Sequence, residues 1–255
     1  MSNSVLIATM NVNQPVLTDN LIKEVTRDNR VEFEVMVLEN GATERSSHST
    51  HISEQNYFFG GGLNLILDYY LNETSHDWLF VLNNDLIIHG QNFLSTMIDE
   101  AEKHNLCTLS PAVINASIAQ CHWKQMHNWM SGGVREVEWV DFQAPLLRRD
   151  ICEIVNEYPI ELIYGWGNDI LTGMIAEEHD LKTGVTDKVC IGHLNSQTIE
   201  KGGIVDLDGT VLDNSEFCRR AESRMFNYMR NSGKWDMFLS YRENAANYTY
   251  RSNNV

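Results

Sequence analysis

The chain of 255 residues is 43% hydrophobic, which suits one large α/β domain with a substantial core. A formal net charge of −16 argues against a general nucleic-acid binder, because phosphate affinity needs clustered Lys and Arg that displace counterions. No apolar run is long enough for a transmembrane helix and no signal-peptide pattern opens the chain. Five scattered cysteines without a CxxC pair suit a reducing setting, so the expected location is cytoplasmic.

Val5 to Ala8 is a short apolar run that opens into Thr9-Met10-Asn11-Val12-Asn13. Pro15 then suits the first turn of a helix with Leu17, Leu21, Ile22 and Val25 on one face. Phe33 to Leu38 reads as a second strand ending in Glu39-Asn40-Gly41, so the chain opens as a βαβ unit. Ala42 to Glu54 is polar and without period, a loop with room for one short strand. The run QNYFFGGGLN, Gln55 to Asn64, leads into a helix carrying Leu63, Ile66, Leu67 and Tyr70 on one side. Three glycines at its entrance allow close backbone approach and leave N–H groups for an anion. The GxGxxG spacing of a dinucleotide fingerprint is absent.

Trp78 to His89, WLFVLNNDLIIH, is the centre of the pattern. Its two apolar blocks read as one buried strand of a largely parallel sheet, interrupted by Asn83-Asn84-Asp85. The triplet puts amides and a carboxylate at a strand end, where open α/β sheets bind ligands. Phe93, Met97, Ile98 and Ala101 mark a helix, and Cys107 to Ile114 a strand whose Pro111 favours an edge or an end. From Asn115 to Gly133 the pattern dissolves around His122, Trp123, His127 and Trp129. Those rings suit stacking on sugar faces or packing of a surface loop, both readings stay open, and the two histidines have no assigned role.

Val137 to Leu147 reads as strand and turn, and Arg148-Arg149-Asp150 as a helix start. Gly165-Trp166-Gly167-Asn168-Asp169 then opens a helix bearing Ile170, Leu171, Met174 and Ile175. A carboxylate in that first turn is favoured by the helix dipole, as a cap or as a functional group. The two glycines permit close approach to a ligand, and Trp166 offers a ring face. Thr186 to Ile191 reads as an edge strand before Gly192-His193. Residues 215–231 form a helix with Phe217, Ala221, Met225, Tyr228 and Met229 on one stripe, Trp235 to Tyr241 extend it, and from Arg242 the chain is loosely held. Residues 201–255 carry 7 acidic and 8 basic side chains, so the acidic excess lies before them. The expected division is a catalytic domain over 1–200 and a helical extension over 201–255 packed on it. A lid, an acceptor platform and a homo-oligomer contact are all open to that extension.

Taken in order, the strand ending in Thr9, Glu39-Asn40-Gly41, the NxxFGGGxN run Asn56 to Asn64, LNND at Leu82 to Asp85, GWGND at Gly165 to Asp169 and His193 resemble a GT-A glycosyltransferase. The resemblance covers about residues 4–198 and is strongest to inverting, rhamnosyltransferase-like enzymes of surface polysaccharides. GWGND is also similar to the GWG-acidic segment of β-1,4-galactosyltransferases. The fold implied is α/β, GT-A, with a mostly parallel central sheet flanked by helices. The resemblance implies that Thr9, Asn11, Glu39, Asn40, Asn56, Gly61, Asn64, Asn83 and Asn84 serve the nucleotide. It implies that Asp85 and His193 face a divalent metal, Mn²⁺ or Mg²⁺, and that Asp169 is the catalytic base. Trp166, Gly167, Asn168, Trp123 and Trp129 are then on the sugar and acceptor side. Two positions depart from the family: Glu39 stands where Asp is usual, which leaves the nucleotide open, and Asn83 replaces the first acid of the DxD motif, which weakens the metal site.

The implied activity is transfer of a sugar from a UDP- or dTDP-linked donor to a saccharide hydroxyl. A nucleotidyltransferase would share the sheet and the metal, but Ala8 to Gln14 contain no Gly, Lys or Arg for a phosphate loop. A non-catalytic saccharide-binding module, with tryptophans as platforms, is the other reading.

Overall fold

The protein is described here by a computed structural model over residues 4–28, 30–114, 121–194 and 204–249. The opening βαβ unit forms as its pattern predicts. Strand β1 (Ser4–Asn11) runs into helix α1 (Pro15–Val25), with Pro15 in its first turn, and returns as β2 (Glu32–Asn40) parallel to β1. A short β3 (His51–Ser53) adds to the edge of β2, and α2 (Phe58–Glu73) leads back to β4 (Trp78–Leu82), which lies parallel to β1 on its other side. All five residues of β4 are buried, as expected of a strand covered on both faces.

The other apolar block of the central motif is a separate element. After Asn83-Asn84-Asp85 the chain leaves the middle of the sheet, and β5 (Leu86–His89) becomes an edge strand, paired antiparallel with a strand late in the chain. Its exposure alternates because only one face is covered, and Ile87 is 44% exposed. The polar triplet is therefore a turn between two strands that are not neighbours.

Helix α3 (Phe93–Lys103) follows, then β6 (Leu106–Val113), β7 (Val134–Val137), β8 (Leu146–Arg148), α4 (Arg149–Val155), α5 (Asn168–Glu178) and β9 (Lys182–His193). The sheet order is β3-β2-β1-β4-β8-β6-β9-β5, with β7 also paired to β9. Strand β8 is antiparallel to both β4 and β6, so it enters the sheet from the end where β1, β2, β4 and β6 finish. Pro111 lies inside the sheet, against the edge expectation, and the register of β6 with β9 slips between Pro111 and Ala112. A bulge removes the need for the missing N–H. Strand β9 is likewise no edge: its first half lies between β6 and β7 and its last residues between β6 and β5. Of the irregular stretch Asn115 to Gly133, residues 115–120 lie outside the described residues.

The C-terminal part begins with a hairpin, β10 (Ile204–Val205) and β11 (Val211–Leu212), followed by helices α6 (Asn214–Asn231) and α7 (Trp235–Asn247). Gly233, at φ +73°, breaks what the pattern had as one extended helix. Residues after Arg242 are held more firmly than expected, since α7 continues to Asn247 and Ala245 is fully buried, while residues 250–255 lie outside the description. Met225, Met229, Phe238, Tyr241 and Ala245 share one core with the sheet. A satellite cluster of Phe58, Ile163, Tyr164, Leu212, Phe217 and Ala221 ties the hairpin and α6 to the start of α2. All five cysteines are free thiols, four of them buried. Among the described residues no helix is long and apolar enough to cross a membrane.

Candidate active site

The carboxyl ends of β1, β2 and β4 collect most of the polar residues singled out in the sequence. On the β1–β2 side they bind one another. The Asn11 amide donates to Glu39 Oε2 at 2.6 Å and to the Glu44 carbonyl at 2.7 Å, while its oxygen accepts the Gln14 N–H at 2.8 Å. Glu39, fully buried, accepts the Ser46 N–H on its other oxygen at 2.9 Å. The pair anchors the loop after Gly41 over the strand ends. Thr9, also fully buried, donates its hydroxyl to the Leu82 carbonyl at 2.8 Å and ties β1 to β4.

The NxxFGGGxN run is similarly engaged. Asn40 accepts the Tyr57 N–H and donates to the Phe58 carbonyl, both at 2.9 Å, and Asn56 accepts the Phe58 N–H at 2.8 Å, so the two asparagines shape the entry to α2. Asn64 clamps the Tyr158 main chain through both amide atoms. The glycine N–H groups expected for an anion are taken: Gly60 donates to the Ile163 carbonyl at 2.8 Å and Gly61 to the Tyr57 carbonyl at 3.1 Å. A Cβ on Gly60 would run into the Leu162 carbonyl. These glycines let α2 pack against the 160s loop.

The central triplet faces the other way. The Asn83 N–H donates to the Gln143 carbonyl at 2.9 Å, and the Asn84 amide reaches the Thr18 hydroxyl at 3.2 Å. Asp85 Oδ1 lies 3.2 Å from His193 Nε2, joined through the β5–β9 pairing that sets Leu86 opposite His193. This carboxylate–imidazole pair supplies one oxygen and one nitrogen donor, a set that suits Mn²⁺ or Mg²⁺ less than an all-oxygen site but accommodates Mn²⁺. Among the described residues no group of three or more His, Cys, Asp or Glu side chains is placed to hold a metal ion. Asp85 and His193 by themselves are two donors, fewer than a protein-held metal site takes.

Asp169 sits in the first turn of α5 and accepts the Ile170 N–H at 2.8 Å. Burial pushes its pKa up to about 8, and the neighbouring Asp141 charge adds to the rise against the pull of nearby main-chain N–H groups. Asp141 was not singled out in the sequence. Burial raises its pKa as well, offset by a hydrogen bond from Gln143 and by the charge of His193. It thus stands within electrostatic reach of both Asp169 and His193, which is itself paired with Asp85. The signal for Asp141 was present: it is the one acid inside Trp139 to Leu147, an otherwise buried, mostly apolar run.

Around Asp169 the GWG turn is tightly wedged. Gly165 and Gly167 have φ of +96° and +92°, and a Cβ on Gly167 would meet Met225 of α6 at 2.9 Å. The glycine clearances are filled by protein, with Phe59 against Gly165, instead of facing a ligand. Trp166 stands outward, 39% exposed. Asn168 is fully buried, and among the described residues neither of its amide atoms has a hydrogen-bond partner. Trp123 packs edge-on against buried Trp139 at 5.0 Å and lies beneath the Arg242 guanidinium, so the loop-packing alternative applies to it in place of a sugar platform. Trp129 is half exposed, with Nε1 3.3 Å from the Lys124 carbonyl and its ring near Tyr248.

No known family model matches the sequence, and no curated protein is similar to it in sequence. Solved structures are similar in fold. GalNAc-T7 with UDP, GalNAc and Mn²⁺ superposes with a TM-score of 0.63 at 9% identity, over 95% of this chain, which spans 55% of that one. The mannosyltransferase PcManGT from Pyrobaculum calidifontis, in complex with GDP-Man and Mn²⁺, gives 0.55 at 10% identity, over 97% of this chain and 76% of that one. TarS 1-349 of S. aureus, in complex with UDP-GlcNAc, gives 0.53 at 13%, over 96% and 82%. The chain has the mixed α/β fold of the GT-A glycosyltransferases, a central sheet flanked by helices.

Proposed function

We propose that this protein is an inverting glycosyltransferase that moves a sugar from a nucleotide-diphosphate donor to a saccharide hydroxyl. The observation that carries the reading is a GT-A-like sheet with the Asp85–His193 pair after its central strand and, at the head of α5, Asp169 with a pKa raised to about 8. A carboxylate with that basicity is suited to accept a proton near neutral pH. Asp169 takes the proton of the acceptor hydroxyl as its oxygen attacks the anomeric carbon, and the bond to the diphosphate oxygen breaks on the opposite face. One displacement inverts the configuration. Asp85 and His193 are the residues that would hold a divalent ion, which when bound neutralises charge on the departing diphosphate. Asn83 and Asn84, next to Asp85, meet the diphosphate, and the nucleotide lies over the ends of β1 and β2. Trp166 offers its exposed ring to the acceptor. We take residues 1–200 as the catalytic domain and 201–255 as an extension that braces the GWG turn. UDP, dTDP and GDP remain candidate nucleotides, the last because PcManGT carries GDP-Man.

The test is calorimetry of UDP, dTDP and GDP with and without Mn²⁺. With two protein donors, the ion is expected to bind weakly alone and the nucleotide to need it, and Asp85→Ala abolishes that dependence. Tight nucleotide binding that ignores both the ion and Asp85 removes the pair from the site. Absence of binding by every nucleotide, alongside saccharide binding, favours the non-catalytic reading.

A further inference from the structure

Asp169 stands at the head of α5, and a different surface lies at the other end of that helix. There a cavity of about 460 Å³ opens between the last turn of α5, β7, the start of β9 and Tyr241 of α7. Strand β9 runs from Lys182 at this cavity to His193, so the place is separate from the Asp85–His193 pair. Four carboxylates line it, those of Glu136, Glu138, Glu177 and Asp180, against one cation among the lining residues, Lys182, which pairs with Glu136 at 2.9 Å. The last turn of α5 holds Glu177 and Glu178 and no basic residue, so these charges oppose the helix dipole. Glu138 is half satisfied: Oε1 accepts the Asn244 amide at 2.8 Å, while Oε2 is shielded from solvent and has no hydrogen-bond partner among the described residues. Burial raises its pKa, against the pull of the Asn244 hydrogen bond and with the Glu177 charge.

We propose that this cavity binds a linear aliphatic polyamine, its ammonium groups on Glu138, Glu177 and Asp180 and its methylenes over Val137 and Leu181. The proposal is independent of the transferase reading. Among the described residues no three acids are placed to share one metal ion, so the charge the cavity calls for is spread over several centres. Val137, Leu181 and the buried Tyr241, whose hydroxyl donates to Glu177, give those centres an apolar floor. Separate ammonium groups joined by short hydrocarbon spacers match both features. An ammonium beside Glu138 supplies the donor that Oε2 lacks and favours the ionised carboxylate, so the attraction does not require that charge beforehand.

The test is calorimetry of the whole chain with spermidine, butylamine, Mg²⁺ and a lysine-rich peptide, at an ionic strength of about 0.15 M to screen diffuse attraction to a protein of net charge −16. The variants are Glu138→Gln, Asp180→Asn, Lys182→Met and, as a control that removes one charge at the exposed end of α2, Glu73→Gln. Circular dichroism checks that each is folded. The expected result is one saturable spermidine site per chain, tighter than butylamine. Glu138→Gln weakens it ~10-fold or more, as for a hydrogen bond to a charged group, and Asp180→Asn ~2- to 5-fold, as for an exposed ion pair. Lys182→Met frees Glu136 and tightens binding ~2- to 5-fold, a gain that a damaged fold does not imitate. Equal spermidine affinity in wild type and Glu138→Gln overturns the proposal, as does a loss in Glu73→Gln as large as in Glu138→Gln. Absence of saturable spermidine binding, Mg²⁺ displacing spermidine one for one, or binding of the peptide alone overturns it too.

Discussion

The ends of β1 and β2 and the head of α5 handle polar groups in opposite ways. At the ends of β1 and β2, Asn11, Glu39, Asn40 and Asn56 satisfy one another and the main chain. At the head of α5, Asp169 is buried within reach of the Asp141 charge, and among the described residues the buried Asn168 has no partner for its amide. A group that has found its hydrogen bonds within the protein builds scaffold. One left crowded or unsatisfied costs stability that only a ligand can return.

The largest expected effect is at Asp169. Asp169→Asn removes the proton acceptor and lowers the transfer rate ~100- to 10,000-fold, measured as kcat with a donor chosen from the binding screen. Its stability moves the other way. Because the folded pKa lies above that of an unfolded aspartate, the native state holds the extra proton between about pH 4 and about pH 8, and wild-type stability falls as pH rises through that window. The Tm of Asp169→Asn is therefore expected to exceed that of wild type by a margin that grows from pH 5 to pH 8 and then levels. A margin that shrinks with pH contradicts the burial of this carboxylate. For the wild type, kcat/KM rises with pH toward a plateau above about 8.

Glu39 gives the opposite sign. Glu39→Ala strands the Asn11 amide and the Ser46 N–H, at about 1–3 kcal/mol for each donor left unmade, and chemical denaturation is expected to show that loss. If the variant keeps wild-type stability, the β1–β2 side is no scaffold and the contrast between the sides fails. Gly167→Ala comes next. It puts a side chain at φ +92° against Met225, and a loss of about 1–3 kcal/mol is expected, with a lowered transfer rate because Asp169 two residues on is displaced.

The sequence made one class of element plain and hid another. β1, α1, β2, α2 and β4 follow from short apolar runs and helical periods whose partners lie nearby in the chain. LIIH looked like a continuation of β4 because its partner, the end of β9, comes about a hundred residues later, and local pattern carries no record of that pairing. Pro111 suggested an edge because the bulge that accommodates it is made jointly with β9. At the site, Asp85, His193 and Asp169 stood out through motifs. Asp141 was legible only as the single acid in a mostly apolar run, because the groups that act on it, His193 and Asp169, come later in the chain. The glycines of GGG and GWG were visible, but whether a glycine makes room for ligand or for protein is decided by what packs there, here the 160s loop, Phe59 and Met225.

The wedge of Gly167 against Met225 and Met229 has a consequence for how the protein comes into being. During synthesis the sheet through β9 leaves the ribosome first and can condense by itself, since domains fold progressively from the N-terminus. The turn that aims Asp169 still lacks its rear support until α6 has emerged and docked. A nascent chain therefore carries a nearly finished sheet and a GWG turn whose geometry is settled only when the C-terminal helices dock.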